Sequence, residues 1–196
     1  MNVPSLLRVW GRVFPAIAAA VIILSPAEGR AQQDLTPTMV KAIASKYQKQ
    51  IAEWAAHPTV VRAVQDSNKQ GPIPGMANAK WREVKAADPL AMQFVSSPVG
   101  QLLVRWMKED GGTINRIVLT GDRGHRVAFT ELPAAYLGKG RPNFDVSFDE
   151  NKFWQQPQIQ PDPVTQLPTI QISHPVRDGG KPIGVLLVAL TAANLK

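Results

Sequence analysis

The side chains best suited to hold a ligand gather around one long connection, from Glu131 to Val164. Tyr136, Phe153 and Trp154 supply aromatic faces, which cover apolar ligand surface and can hold a cation. Phe129, in the strand expected just before the connection, adds another ring. Arg141 carries the planar fork that pairs a carboxylate. Beyond the connection, Gln171 and Ser173 are polar residues on a strand expected to be largely buried. Buried polar groups need partners, and a ligand is one kind of partner. Each feature also has a plainer account. Aromatic residues in a long loop pin it to a sheet, and backbone or water more commonly satisfies a buried amide or hydroxyl. Connections beyond about 15 residues without regular structure are uncommon and usually have a function.

Other chemistry finds little footing. The chain has no cysteine, so it has neither disulfides nor a thiol nucleophile. Its three histidines, His57, His125 and His174, are too far apart in sequence for metal-ligand spacing. Asp145, Asp149 and Glu150 lack the alternation and central glycine of a calcium loop. Gly121-Asp122-Arg123-Gly124 has neither the lysine nor the helix of a phosphate loop, and suits a hairpin turn. No serine sits in a Gly-x-Ser-x-Gly elbow. We therefore expect no catalysis, no cofactor and no metal. The net charge of +7 is dispersed without a Lys/Arg block, which argues against nucleic acid. Anionic small molecules or an acidic membrane surface fit such a balance.

The elements that must position these groups are led by a hairpin. In Thr169–Val176, Ile170, Ile172, His174 and Val176 share one face, and Gln171, Ser173 and Pro175 the other. Arg177-Asp178-Gly179-Gly180-Lys181 supplies the turn. Ile183–Leu190 is apolar on both faces, as a mid-sheet strand covered on both sides requires. Two further strands are expected, Ile114–Thr120 and Arg126–Thr130. Thr36-Pro37 caps a long helix with Val40, Ile43, Tyr47, Ile51 and Trp54 in one stripe, interrupted at His57-Pro58. A short helical stretch follows to Asn68, another surrounds Trp81, and Ser97-Pro98 starts a helix with Val99, Leu102, Leu103 and Trp106 on one face. The 44% hydrophobic content provides a real core. The whole is an α+β domain without repeats.

The first residues read as an address. Arg8 and Arg12 precede an apolar run, Phe14–Leu24, and Gly29-Arg30-Ala31 offers a cleavage site. Eleven residues rise roughly 16 Å as a helix, short of the ~30 Å hydrocarbon core. A cleaved signal over residues 1–31, ahead of one domain over 32–196, is favoured over a retained anchor. It implies a periplasmic or secreted protein.

This order of elements resembles the extracytoplasmic Cache sensor domains, relatives of the PAS fold. Trp54–Val60 is similar to the kinked end of that family's first long helix. Ile117–Ala128 is similar to its first hairpin, and Tyr136 through Phe153-Trp154 to its pocket segment. Ile172–Asp178 with Pro182–Val185 is similar to its closing hairpin. Together these cover roughly residues 37 to 196. The resemblance implies an antiparallel sheet of about five strands, with the long helix on one face and a metabolite pocket under loops on the other. It implies that Phe129, Tyr136, Arg141, Phe153, Trp154, Gln171 and Ser173 surround a small molecule such as an amino acid or organic acid. Ala135 departs from the pattern, because many members carry an aspartate there, and this weakens transfer of amine-binding chemistry. With no receptor module after Lys196, sensing would be reported through a membrane-bound signalling or transport partner. The long helix also offers a homodimer face. The rival reading is an accessory protein whose main ligand is another protein.

Overall fold

The computed structural model describes residues 33–196, and the export signal expected over residues 1–31 lies outside them. Thr36 caps the first helix as its sequence predicts, its Oγ1 accepting from Met39 N at 3.3 Å. The helix runs as α1 (Pro37–Ala42), a π-helical turn (Ile43–Tyr47) and α2 (Gln48–Ala55). Ile43, Tyr47, Ile51 and Ala55 form its buried stripe, each four residues from the last. Val40, expected in that stripe, is 45% exposed. The wide π turn alters the phase between α1 and α2, so the two do not bury one continuous face. Trp54, at the edge of the stripe, is half-buried against the same core, and its ring stacks on Trp106 with centroids 4.7 Å apart.

His57 breaks the helix and caps the next, α3 (Pro58–Gln70), its Nδ1 accepting from Thr59 N. At 13 residues α3 is longer than the short stretch expected. Its polar last turn is held by tertiary bonds: Asn68 donates to Ile183 O and accepts from Asp122 N. Three helices follow, α4 (Asn78–Trp81), α5 (Pro89–Ser96) and α6 (Pro98–Glu109). Ser97 caps α6 through Gly100 N, and Val99, Leu103 and Trp106 are buried as their spacing predicts.

The sheet is antiparallel throughout. Its strands are β1 (Gln33–Asp34), β2 (Ile114–Gly121), β3 (Arg126–Phe129), β4 (Trp154–Gln155), β5 (Gln158–Pro161), β6 (Pro168–Asp178) and β7 (Lys181–Thr191). The order is β1-β5-β6-β7-β2-β3, with β4 also paired to β6. The sheet has seven strands where about five are expected: five of four residues or more, and the two-residue β1 and β4. The long connection is not structureless, since it also contains helix α7 (Pro142–Asp149). Pro175 is tolerated in β6 because β4 ends its pairing at Ser173, leaving the outer side of β6 without a strand there.

The pleat of β6, β7 and β2 separates two environments. Ile170, Ile172, Leu186, Val188, Leu190, Ile117 and Leu119 face the helices and form one aliphatic core with Ile43, Ile51, Val60, Val64 and Leu103. The opposite face is polar in part, with Arg116, Thr120, Gln171 and Ser173 among Val118, Val185 and Leu187. Gly184 interrupts the apolar run of β7 for a steric reason: a Cβ there would lie 2.2 Å from Thr120 O and 2.8 Å from Val64 Cγ1. Gly184→Ala should therefore overpack the junction of α3, β2 and β7 and cost about 1–3 kcal/mol, measured by urea unfolding. Wild-type stability in that variant would contradict the packing described.

Candidate functional site

Two structures roof the partly polar face of the sheet. Helix α7 lies across β6 and β7. It is fixed there by a buried Ser147–Ser173 hydroxyl pair at 2.9 Å and by Asn143 Nδ2 donating to Gln171 Oε1 at 2.7 Å. The segment before it runs beside β3, where Leu137 bridges His125 and Gly138 N donates to Gly124 O. Between roof and sheet is a hollow of about 50 Å³, lined by Arg116, Arg126, Arg141, Gln171, Val185 and Leu187 among others. Such a space takes a few waters or one small functional group. It adjoins a more open cleft of about 580 Å³ between the start of α7 and the β4–β5 segment. Arg141, Asn143, Pro163 and Gln171 line both, so these four side chains form the partition. Trp154 and Pro142, Pro157 and Pro161 form the outer walls.

Arginine dominates the hollow. Arg116, 3% exposed, makes a two-pronged ion pair with Asp162, one arm at 3.0 Å. Asp162 Oδ1 also accepts from Val164 N and Thr165 N at 2.9 Å each, which folds the loop after β5 onto Arg116. Burial pushes the Asp162 carboxyl upward, but the Thr165 and Val164 amides and Arg116 outweigh it and hold it below the ordinary carboxylate range. Arg126, 8% exposed, donates through Nε to Ala135 O at 2.8 Å. Burial, then the like charges of Arg141 and Arg116, lower its pKa to about 9.

A bulge puts Arg126 there. Strict alternation would give Arg126 the same face as Ala128, which packs in the aliphatic core. The β2–β3 register instead shifts, pairing Leu119 with Ala128 but Thr120 with Arg126. The extra residue, Val127, turns Arg126 toward the hollow.

Of the residues expected to surround a ligand, Arg141 and Gln171 line both spaces and Trp154 lines the cleft. Ser173 lies under α7, bonded to Ser147. Phe153 packs against the aliphatic core, because neighbouring residues of an extended chain point to opposite sides. Phe129 and Tyr136 form an aromatic cluster with Trp81 and Phe94 that closes one end of this face. Burial raises the Tyr136 pKa, and its hydroxyl accepts from Ile73 N at 2.8 Å. Arg116, Arg126 and Asn143 were not anticipated. Their only sequence signal is a charged or amide residue inside a strand or beside a proline. A wider groove of about 780 Å³ between α3, the α5–α6 junction and β3 contains none of the expected ligand residues.

No family model matches the sequence, and no curated protein does. Solved structures do. The sensor domain of the V. cholerae histidine kinase DctB superposes with a TM-score of 0.51 at 13% identity, over 78% of this chain and 50% of that one. This chain shares the fold of that DctB domain, which is of the extracytoplasmic Cache type. Other Cache-type domains match more loosely. The ligand-binding domain of the Campylobacter jejuni chemoreceptor Tlp3, in complex with L-valine, gives 0.43 at 16% identity, over 82% of this chain and 66% of that one. The E. coli DcuS sensor domain gives 0.40 at 15%, over 70% and 95%. The chain thus spans half the length of the DctB domain and about two thirds of the Tlp3 domain. Among the described residues, no helix of this Cache fold is long and apolar enough to cross a membrane.

The buried ion pair yields a signed prediction. Asp162→Asn strands the Arg116 charge and should cost about 3–5 kcal/mol at pH 7, whereas adding Arg116→Met to Asp162→Asn, which keeps an oxygen for the Val164 and Thr165 amides, should recover much of that loss. Because the folded-state pKa of Asp162 is depressed, its contribution is present above the unfolded value of about 3.9 and fades as pH falls through the folded value. The stability gap between wild type and Asp162→Asn should narrow below about pH 4. A gap independent of pH in chemical denaturation would refute the assignment.

Proposed function

We propose that this chain is a small-molecule-binding sensor domain that works outside the cytoplasm, performs no chemistry on its ligand, and reports through a partner protein. The observation that carries the reading is the convergence of Arg141, Gln171 and Trp154 on a hollow and cleft beneath the roof of a Cache-type sheet. Among the domains that match this chain more loosely are complexes with L-valine and L-serine. A small metabolite, an amino acid or organic acid, suits a cleft of about 580 Å³. Its head would enter the hollow, and ordering of α7 and the β4–β5 segment around it would alter the surface offered to the partner.

A metabolite screen by thermal shift tests the reading. A ligand at a hundredfold excess over its Kd stabilises the folded state by about 2.7 kcal/mol. Trp154→Ala and Arg141→Ala should each weaken binding about tenfold or more, with little change in the melting temperature of the ligand-free protein, since both side chains lie at the rim. Undiminished binding in both variants would move the site elsewhere. Export is tested separately. The intact mass of the protein recovered from a bacterial periplasm should correspond to a chain beginning at Gln32, and a retained amino-terminal segment would exclude the cleaved signal.

A further inference from the structure

We infer that the hollow receives the carboxylate of a metabolite carrying no ammonium group beside it, whose apolar body lies in the outer cleft against Trp154. This rests on the small-molecule reading above and specifies the ligand of that site. The decisive group is Arg126. The residue is 8% exposed and lines the hollow, and it also borders the wider groove beside α3. Its one hydrogen bond to protein among the described residues joins Nε to Ala135 O. Of the ionisable side chains acting on it, Arg141 and Arg116 have its own sign, and the Tyr136 phenol opposes them more weakly. Asp162 does not compensate it, because both carboxylate oxygens engage Arg116.

No aspartate or glutamate lines either the hollow or the cleft. A buried charge without a partner is costly, so the site gains most from a ligand that brings a negative charge. An α-ammonium group would meet the opposite situation. It would be drawn in beside two guanidinium groups, with no carboxylate to receive it. The Gln171 carbonyl oxygen already accepts from Asn143. The dimensions agree, because about 50 Å³ admits a carboxylate but not a whole metabolite, and the rest must extend past the partition into the cleft. Trp154 and the prolines there offer apolar walls.

Titration calorimetry at pH 7 with matched pairs tests the inference. The probes are 4-methylpentanoate against leucine and 3-phenylpropanoate against phenylalanine, with inorganic phosphate as a third arm. At least one acid should bind, at least tenfold more tightly than its amino partner and than phosphate. Arg126→Met should abolish acid binding while the ligand-free melting temperature stays equal to or above that of wild type, because an unpaired buried charge has been removed. Arg126→Lys should keep the preference for acids at reduced affinity. Amino acids binding as tightly as their acids would overturn the inference and leave the sensor reading intact. Phosphate binding as tightly as the acids, or undiminished acid binding in Arg126→Met, would also overturn it. Absence of binding by both members of each pair, and by every compound of the thermal-shift screen, would overturn the sensor reading as well.

Discussion

The molecule depends on the alternation of side chains across the β6–β7 hairpin. A strand sends successive residues to opposite faces, so a single stretch of chain fixes the character of both. One face, with Ile170, Ile172, Leu186, Val188 and Leu190, is uniformly aliphatic and takes the helices. The other must bury Gln171 and Ser173, which an oily layer would not satisfy. Helix α7 is the answer to that demand. Its Asn143 and Ser147 bond to those two strand residues, and the roof is thus held by polar contacts where the helices are held by packing.

This difference in adhesion separates stability from function. The aliphatic side contains most of the large buried residues and is packed without regard to any ligand. The roofed side has a guanidinium with no carboxylate partner and a small hollow beside it. Burying Arg126 there is a local cost that the aliphatic side must offset. Sites of this kind, where local preference loses to the fold, are where function is expected to reside.

What could be read in advance follows the same division. The hairpin, the cap at Thr36 and the helix begun by Ser97-Pro98 were legible because their signals are local. So was the assignment of Gln171 and Ser173 to the face opposite the isoleucines. The helix α5 was missed, although Asp88-Pro89 has the same form as Ser97-Pro98. The ion pair of Arg116 with Asp162 joins residues 46 apart, and no periodicity connects them. Arg126 was hidden for a different reason. Only the slip in register between β2 and β3 turns it away from the aliphatic core, and a bulge leaves no mark in a four-residue strand. The aromatic residues show the limit of reading by type. Tyr136 and Phe129 close the end of the roofed face with Trp81, while Trp154 alone of the expected rings faces the cleft.

The π-helical turn has a consequence beyond the phase of its helix. At that turn Lys46 Nζ and Tyr47 OH both donate to Asp110 Oδ1, while Asp110 Oδ2 accepts from the amides of Thr113 and Ile114. One carboxylate therefore clamps the amino-terminal rod to the root of β2, two residues ahead of Arg116. The amino-terminal rod and the strand that floors the arginine chamber thus share a single anchor, and Asp110 is the residue through which the two are joined.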